Sequence, residues 1–161
     1  MSSTQGSLTV ANDGRHAGPS LPGLLCAECT AELDLAGAAV SLMNDDGQQA
    51  VVGASTSVAA ELEELQFELG EGPGVDAFRM ERPLFFSCLA EGAVARWPAF
   101  GRAALDAGIG AIFALPLHVG AIRLGSLGLY RVPPGQLDGK ETSTALAYAD
   151  AAVVVLIHLQ G

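Results

Sequence analysis

Apolar residues recur at helical spacing in the first part of the chain. Between Leu21 and Leu33, the side chains of Leu25 and Cys29 fall on one face four residues apart, which predicts a helix. A second amphipathic helix is predicted over 57–68, with one apolar face and one charged face that we expect to be solvated. The two faces of this second helix are Val58, Leu62, Leu65 and Leu69 on the apolar side and Glu61, Glu63, Glu64 and Glu68 on the charged side.

Shorter stretches have the pattern of strands. The stretches 37–43 and 49–54 flank Asn44, Asp45, Asp46 and Gly47, residues that favour the backbone conformations of a tight hairpin turn. Three more strands are predicted over 84–88, 109–118 and 124–130, and the last two are joined by a hairpin at 119–121. Residues 91–96 are predicted to form a polar link between a strand and a helix.

Three further helices complete the predicted order. A short helix follows the glycine-rich stretch at 70–74 and ends before Pro83, and another begins at Trp97-Pro98 and ends at Gly108. The last helix is predicted over 138–159. Because hairpins outnumber parallel crossovers in this order, we predict an α+β fold with a central antiparallel sheet and helices on its faces.

The last helix has a narrow seam of small and apolar side chains, spaced alternately three and four residues apart. Such a seam packs on a partner helix, which predicts a homodimer formed through the terminal helices. The alternative is that the seam covers the sheet of its own chain. The two interpretations are compatible if they involve different faces of the helix. The predicted dimer interface consists of Ala145, Ala149, Ala152, Leu156 and Leu159.

Charge limits the range of partners. The chain of 161 residues has 18 acidic and 8 basic side chains and a net charge of −10. It therefore lacks the basic surface that binds nucleic acid or an anionic membrane, and we expect neither as a partner. No run approaches the roughly 18 apolar residues of a membrane span, and no signal peptide is recognised. We predict a cytoplasmic protein with a disordered tail at 1–19 and one domain at 20–161.

Motifs for catalysis and metal binding are absent from the sequence. It has no nucleophile elbow, phosphate-binding loop or zinc-protease motif. Cys26 and Cys29 have the C-x-x-C spacing, but no second ligand pair follows for zinc, and we expect both thiols to be packed in the core. We therefore predict no enzyme activity, no metal and no cofactor.

The stretch 69–77, LGEGPGVDA, resembles the LGEGP-x-x-DA signature of bacterial GAF domains, in particular those of GAF-ANTAR regulators. The resemblance implies a five- or six-stranded sheet, with the first and last helices packed together behind it and a pocket in front. It also implies a signal-sensing, dimerising module of a transcription antitermination protein. The RNA-binding ANTAR part of such a protein would begin about where this chain ends.

The resemblance places a small-molecule pocket beside the third strand. Its counterparts in this chain are Asp76, Phe86, Cys88, Trp97 and Phe100, and the aromatic ring of Phe113 is a further candidate for ligand binding. The alternative is a stand-alone interaction domain whose aromatic side chains fill this space themselves. The pattern of cyclic-nucleotide GAF domains is not found. A free methionine sulfoxide reductase that uses Cys88 is a minor alternative.

Overall fold

The computed structural model describes residues 20–46 and 49–160. The predicted tail at 1–19 lies outside the described residues, as do Gly47, Gln48 and Gly161. The described elements are, in chain order, α1 (Leu21–Leu33), β1 (Gly37–Met43), β2 (Gln49–Ala54), α2 (Ser57–Leu69), α3 (Pro73–Met80), β3 (Leu84–Phe86), α4 (Ala93–Arg96), α5 (Pro98–Asp106), β4 (Ala111–Val119), β5 (Ile122–Arg131) and α6 (Gly139–Gln160).

The five strands form one antiparallel sheet in the order β2-β1-β5-β4-β3. The hairpins β1–β2 and β4–β5 join neighbouring strands, and β1 inserts beside β5 with Gly37 opposite Tyr130. This arrangement confirms the predicted α+β fold with an antiparallel sheet. It also places the end of α1 and the beginning of α6 near the same end of the inner strands β1 and β5, so these two helices run antiparallel.

Helices cover both faces of the sheet. Successive side chains of a strand point to opposite faces, and β4 shows this clearly. Phe113 and Leu115 pack with α1 and α6, whereas Ile112 packs with α2, α4 and α5. The core therefore has two halves separated by the sheet, and the strands are in contact with both.

Side chains and glycines define where the helices begin and end. The hydroxyls of Ser20 and Thr56 accept hydrogen bonds from backbone amides in the first turns of α1 and α2. Gly70 ends α2 with a φ of 71°, and Gly72 has a φ of 144°, both in the region that favours glycine. The glycine-rich stretch is thus a sharp corner that turns the chain from α2 into α3.

One detail of α2 and one of the link after β3 differ from the prediction. Glu63 is 1% exposed and faces the sheet, so its assignment to the solvated face of α2 is wrong. The reason is that β1 and β5 offer it polar partners, which a count of apolar spacing does not reveal. Residues 91–96, predicted as a polar link, contain the short helix α4.

The seam of α6 is buried within its own chain. Ala145, Ala149, Ala152 and Leu156 pack against the sheet and α1, and Tyr148 donates a hydrogen bond of 2.7 Å to Glu32 of α1. These four seam residues therefore cover their own sheet instead of offering a free dimer surface, which is a correction to the predicted interface. Of the five predicted interface residues, Leu159 alone is exposed.

Candidate functional site

An aromatic cluster occupies the position predicted for a pocket. The ring of Trp97 lies between those of Phe86 and Phe100, with centroid separations of 5.1 and 6.3 Å. Trp97 and Phe100 are almost fully buried. Helices α4 and α5, which together we call the cover, hold these two side chains over the sheet face that carries Ile112 and Tyr130. The structure thus brings together Phe86, Trp97 and Phe100, which the resemblance placed beside one pocket, and a ligand-binding role for them stays a prediction.

Phe113 does not belong to this cluster. It lies on the opposite face of the sheet, where its ring contacts Phe85 edge-on at 5.6 Å and the guanidinium of Arg131 at 5.1 Å. Its inclusion among the ligand-binding candidates is wrong because strand side chains alternate, and Ile112 takes the position facing the cover.

The two acidic residues of the glycine-rich signature bind the cover. Glu71 accepts hydrogen bonds from the backbone amides of Ala99 and Phe100, at 3.0 and 2.9 Å, in the first turn of α5. A carboxylate is favourable there because the first amides of a helix have no partners within the helix and carry partial positive charge. The Glu71 side chain therefore caps α5 from a distant part of the sequence and supplies the negative charge that the start of this helix favours.

Asp76 makes the second connection from the signature to the cover. Its Oδ2 accepts hydrogen bonds from the indole Nε1 of Trp97 at 3.1 Å and from Nε of Arg96 at 3.2 Å. The guanidinium of Arg96 also lies over the ring of Trp97, 5.0 Å from its centroid. Asp76, predicted to bind a ligand, here binds and orients Trp97.

A buried polar network lies directly beneath the signature. Glu63 accepts hydrogen bonds from Ser41 (2.8 Å), from Gln66 (3.1 Å) and from the hydroxyl of Tyr130. Gln66 also donates to Tyr130, and its carbonyl oxygen accepts from the amide of Gly74 at 2.8 Å. The network therefore joins strands β1 and β5 to α2 and to the first turn of α3.

Close packing explains several glycines around this network. A Cβ on Gly72 would lie 2.4 Å from Gln66, and one on Gly128 would lie 2.5 Å from Glu63. The hydroxyl of Ser126, next to Gly74, is buried and has no hydrogen-bond partner among the described residues. The signature glycines thus allow the chain to approach buried polar side chains closely.

Burial controls the ionisation of this network. Removal from water raises the pKa of Glu63, although three hydrogen bonds to its carboxylate act in the opposite direction. Burial and the neighbouring Glu63 raise the pKa of the Tyr130 phenol. The sequence analysis missed this network. One pattern in the sequence could have indicated it: Ala59, Leu62, Glu63 and Gln66 have helical spacing, which places two polar residues on the apolar face of α2.

The cysteines lie in two separate places. Cys26 and Cys29 are buried between α1 and the sheet, and the thiol of Cys26 donates to the carbonyl oxygen of Gly53. Burial raises the pKa of Cys29 to about 12, which keeps its thiol protonated. Cys88 is half-buried and follows β3. In the described part of the chain, no group of three or more His, Cys, Asp or Glu side chains is placed to hold a metal ion.

The outward sides of α1 and α6 form an exposed surface, which we call the outer face. It carries large apolar side chains that are 44–67% exposed. They are Leu21, Leu24, Leu146, Val154 and Ile157, with Leu159 at the end of the helix. By length and composition alone, the stretch Gly139–Leu159 is long and apolar enough to cross a membrane, and it is the one such helix among the described residues. The sequence expectation of no such stretch differs because it counted uninterrupted apolar residues and not mean hydropathy along a helix.

Comparison of the sequence with protein families gives one match, to the family described as GAF domain, over residues 23–156. No curated protein matches the sequence at a significant level. The match spans the sheet, the cover and most of both outer helices.

Solved structures of GAF domains have the same fold. The GAF domain of a phosphoenolpyruvate-protein phosphotransferase from Coxiella burnetii superposes with a TM-score of 0.66 at 14% identity, covering 86% of this chain and 82% of that one. The GAF3 domain of a Synechocystis protein, in its photoproduct state, gives 0.66 at 18% identity and coverages of 85% and 91%. The second GAF domain of DevS from Mycobacterium smegmatis gives 0.59 at 19% identity and coverages of 86% and 92%.

Proposed function

The chain belongs to the GAF domain family, a family of mostly signal-sensing and regulatory modules, and from this premise we propose that it is a non-catalytic sensor that forms a homodimer through its outer face. The observation that carries the proposal is the exposed apolar surface on α1 and α6. Leu24, Val154 and Ile157 are 44%, 67% and 47% exposed, on helices whose other sides are buried. A second copy of the chain would remove this surface from water.

The sensing side of the proposal lies on the opposite face of the sheet. Glu71 and Asp76 hold the cover by hydrogen bonds, and the rings of Phe86 and Trp97 pack against each other beneath it. A small molecule or partner that binds more tightly when the cover is displaced would increase the population of molecules with a displaced cover. The strands contact both halves of the core, so a change beneath the cover has a direct route to α6 through β4.

The signature at 69–77 supports a more specific role in the sensor half of a GAF-ANTAR antitermination regulator. In that role α6 would transmit the state of the dimer to an RNA-binding domain outside this chain. The net charge of −10 supports the assignment of RNA binding to another domain. The same charge disfavours binding to anionic membranes through electrostatic attraction, and the location that we propose is the cytoplasm.

The mass in solution tests the dimer. We expect the wild-type chain to have twice the monomer mass in light scattering across the micromolar range. The double substitution Val154→Glu and Ile157→Glu should give a folded monomer, because it places charges inside the proposed interface. The control is Val132→Glu, which adds a single charge at a position that is 57% exposed outside α1 and α6, and it should remain dimeric. A monomeric wild type, or a dimer that survives the double substitution, would show the proposal to be wrong.

A further inference from the structure

The surface between α2 and α5 forms a groove, which we call the acidic groove. Its volume is about 410 Å³. Its floor is apolar and its rim carries three carboxylates. The floor consists of Val58, Leu62, Leu65, Ala103 and Ala107, and the rim consists of Glu61, Glu64 and Glu68.

The rim carboxylates are arranged along one side of α2. Glu61, Glu64 and Glu68 are three and four residues apart, so they share one stripe over about two helical turns. All three are exposed. No basic side chain is among the residues that line the groove in the described part of the chain. The negative charge at this position is therefore not neutralised by a cation of the groove itself.

The acidic groove lies on the sheet face opposite the outer face, because α2 and α5 pack with Ile112 and not with α6. It remains accessible when two copies associate through α1 and α6. An apolar floor between two helices accommodates the apolar side of a third helix. The three carboxylates require that this helix carry positive charge along its edge.

We propose that the acidic groove docks a basic amphipathic helix of another protein. The apolar side of that helix contacts Leu62, Leu65 and Ala103, and its lysine or arginine side chains pair with the three glutamates. Recognition thus requires both an apolar stripe and adjacent positive charge. This contact uses none of the outer-face residues, so the docking proposal and the dimer proposal fail independently of each other.

A synthetic peptide provides the probe. It contains only leucine and lysine, patterned as an amphipathic helix, with a fluorescent label for anisotropy. A scrambled peptide of identical composition, whose leucines do not share a face, tests whether charge alone suffices. We expect the patterned peptide to bind at least about fivefold more tightly than the scrambled one, because apolar contact adds to the salt-screened attraction.

Two variants locate the binding. The triple substitution Glu61→Gln, Glu64→Gln and Glu68→Gln should weaken binding about fivefold or more. Its control, with the same change in charge at exposed positions elsewhere, should bind like the wild type. The control substitutions are Glu28→Gln, Asp46→Asn and Glu91→Gln. The single substitution Ala107→Arg, at an exposed position, should also weaken binding, because it places a cation and added volume in the groove.

Three outcomes would overturn the proposal. One is equal binding of the patterned and scrambled peptides, which would indicate attraction by net charge alone. Another is equal weakening by the groove triple and its control. The third is an unchanged affinity of the Ala107→Arg variant. Circular dichroism of each variant verifies that a loss of binding does not come from unfolding.

Discussion

At the scale of single residues, the buried carboxyl group of Glu63 connects α2 to two strands of the sheet. It is fully buried, and no basic side chain is among its hydrogen-bond partners, which are Ser41, Gln66 and Tyr130. A buried carboxyl without a cation prefers its neutral form, and burial accordingly raises its pKa. Its side chain therefore connects the stability of the fold to pH.

The sign of this pH dependence follows from proton binding. Between the unfolded-state pKa of Glu63, near 4.5, and its higher folded-state pKa, the folded state holds more protons than the unfolded state. Glu63 therefore contributes a stability that is complete below about pH 4.5 and decreases as pH rises towards the folded-state pKa. Glu63→Gln retains a neutral side chain that accepts from Tyr130 and donates to Ser41.

We expect the free energy of unfolding of Glu63→Gln, relative to wild type, to increase between pH 5 and pH 8 in urea titrations. Glu63→Leu should instead lose about 1–3 kcal/mol at pH 5, because it leaves buried donors unsatisfied. Glu64→Gln, on the solvated side of the same helix, is the control and should show no such trend. A constant difference between Glu63→Gln and wild type at every pH would contradict the assigned ionisation.

At the scale of elements, the cover depends on two carboxylates from the signature. Glu71 bonds to the first turn of α5, and Asp76 bonds to Arg96 and Trp97. Loss of a helix-capping carboxylate typically costs about 0.5–2 kcal/mol. Because the contacts are local, their loss should lower the free energy of local opening of the cover more than that of the rest of the fold.

Hydrogen exchange measured by mass spectrometry tests this role. We expect Glu71→Ala to increase exchange in residues 93–106 while α1 and α6 remain as protected as in wild type. Glu68→Ala, three residues earlier and exposed, is the control and should leave the cover unchanged. Faster exchange spread evenly over the whole chain would indicate general destabilisation and would count against a local restraint on the cover.

The elements that the sequence predicted well are those with strong local signals. The bounds of α1, β1 and β2 agree with the prediction, since helical spacing, alternation and a turn mark them clearly. The short helix α4 was missed because four residues carry no periodicity. The resemblance supplied the order of the layers, which hydrophobic spacing alone does not determine.

The candidate site was predictable only in part. The cluster of Phe86, Trp97 and Phe100 was anticipated, but the partners of Asp76 and Glu71 lie 20 to 29 residues away and have no local signal. Phe113 was misplaced because the face of β4 depends on its register with β5. The seam on α6 was recognised, and the sheet of the same chain, rather than a second copy, proved to be its partner.

At the scale of the whole molecule, the sheet separates two surfaces with different proposed roles. The cover lies on one face and the outer face on the other, and β4 contacts both through Ile112 and Phe113. A sensor of this design requires that the position of the cover and the association of α1 and α6 influence each other. Such coupling is reciprocal, so a change at the cover must appear in the dimer affinity.

Sedimentation equilibrium of the wild type and the double variant Glu71→Gln and Asp76→Asn tests this coupling most directly. The account predicts that the dimer dissociation constant changes at least about twofold in the variant, although neither residue lies on α1 or α6. Glu68→Gln with Asp46→Asn, an equal change in charge away from the cover, should leave it unchanged. A dissociation constant identical in all three proteins, or a monomer in each, would contradict the account.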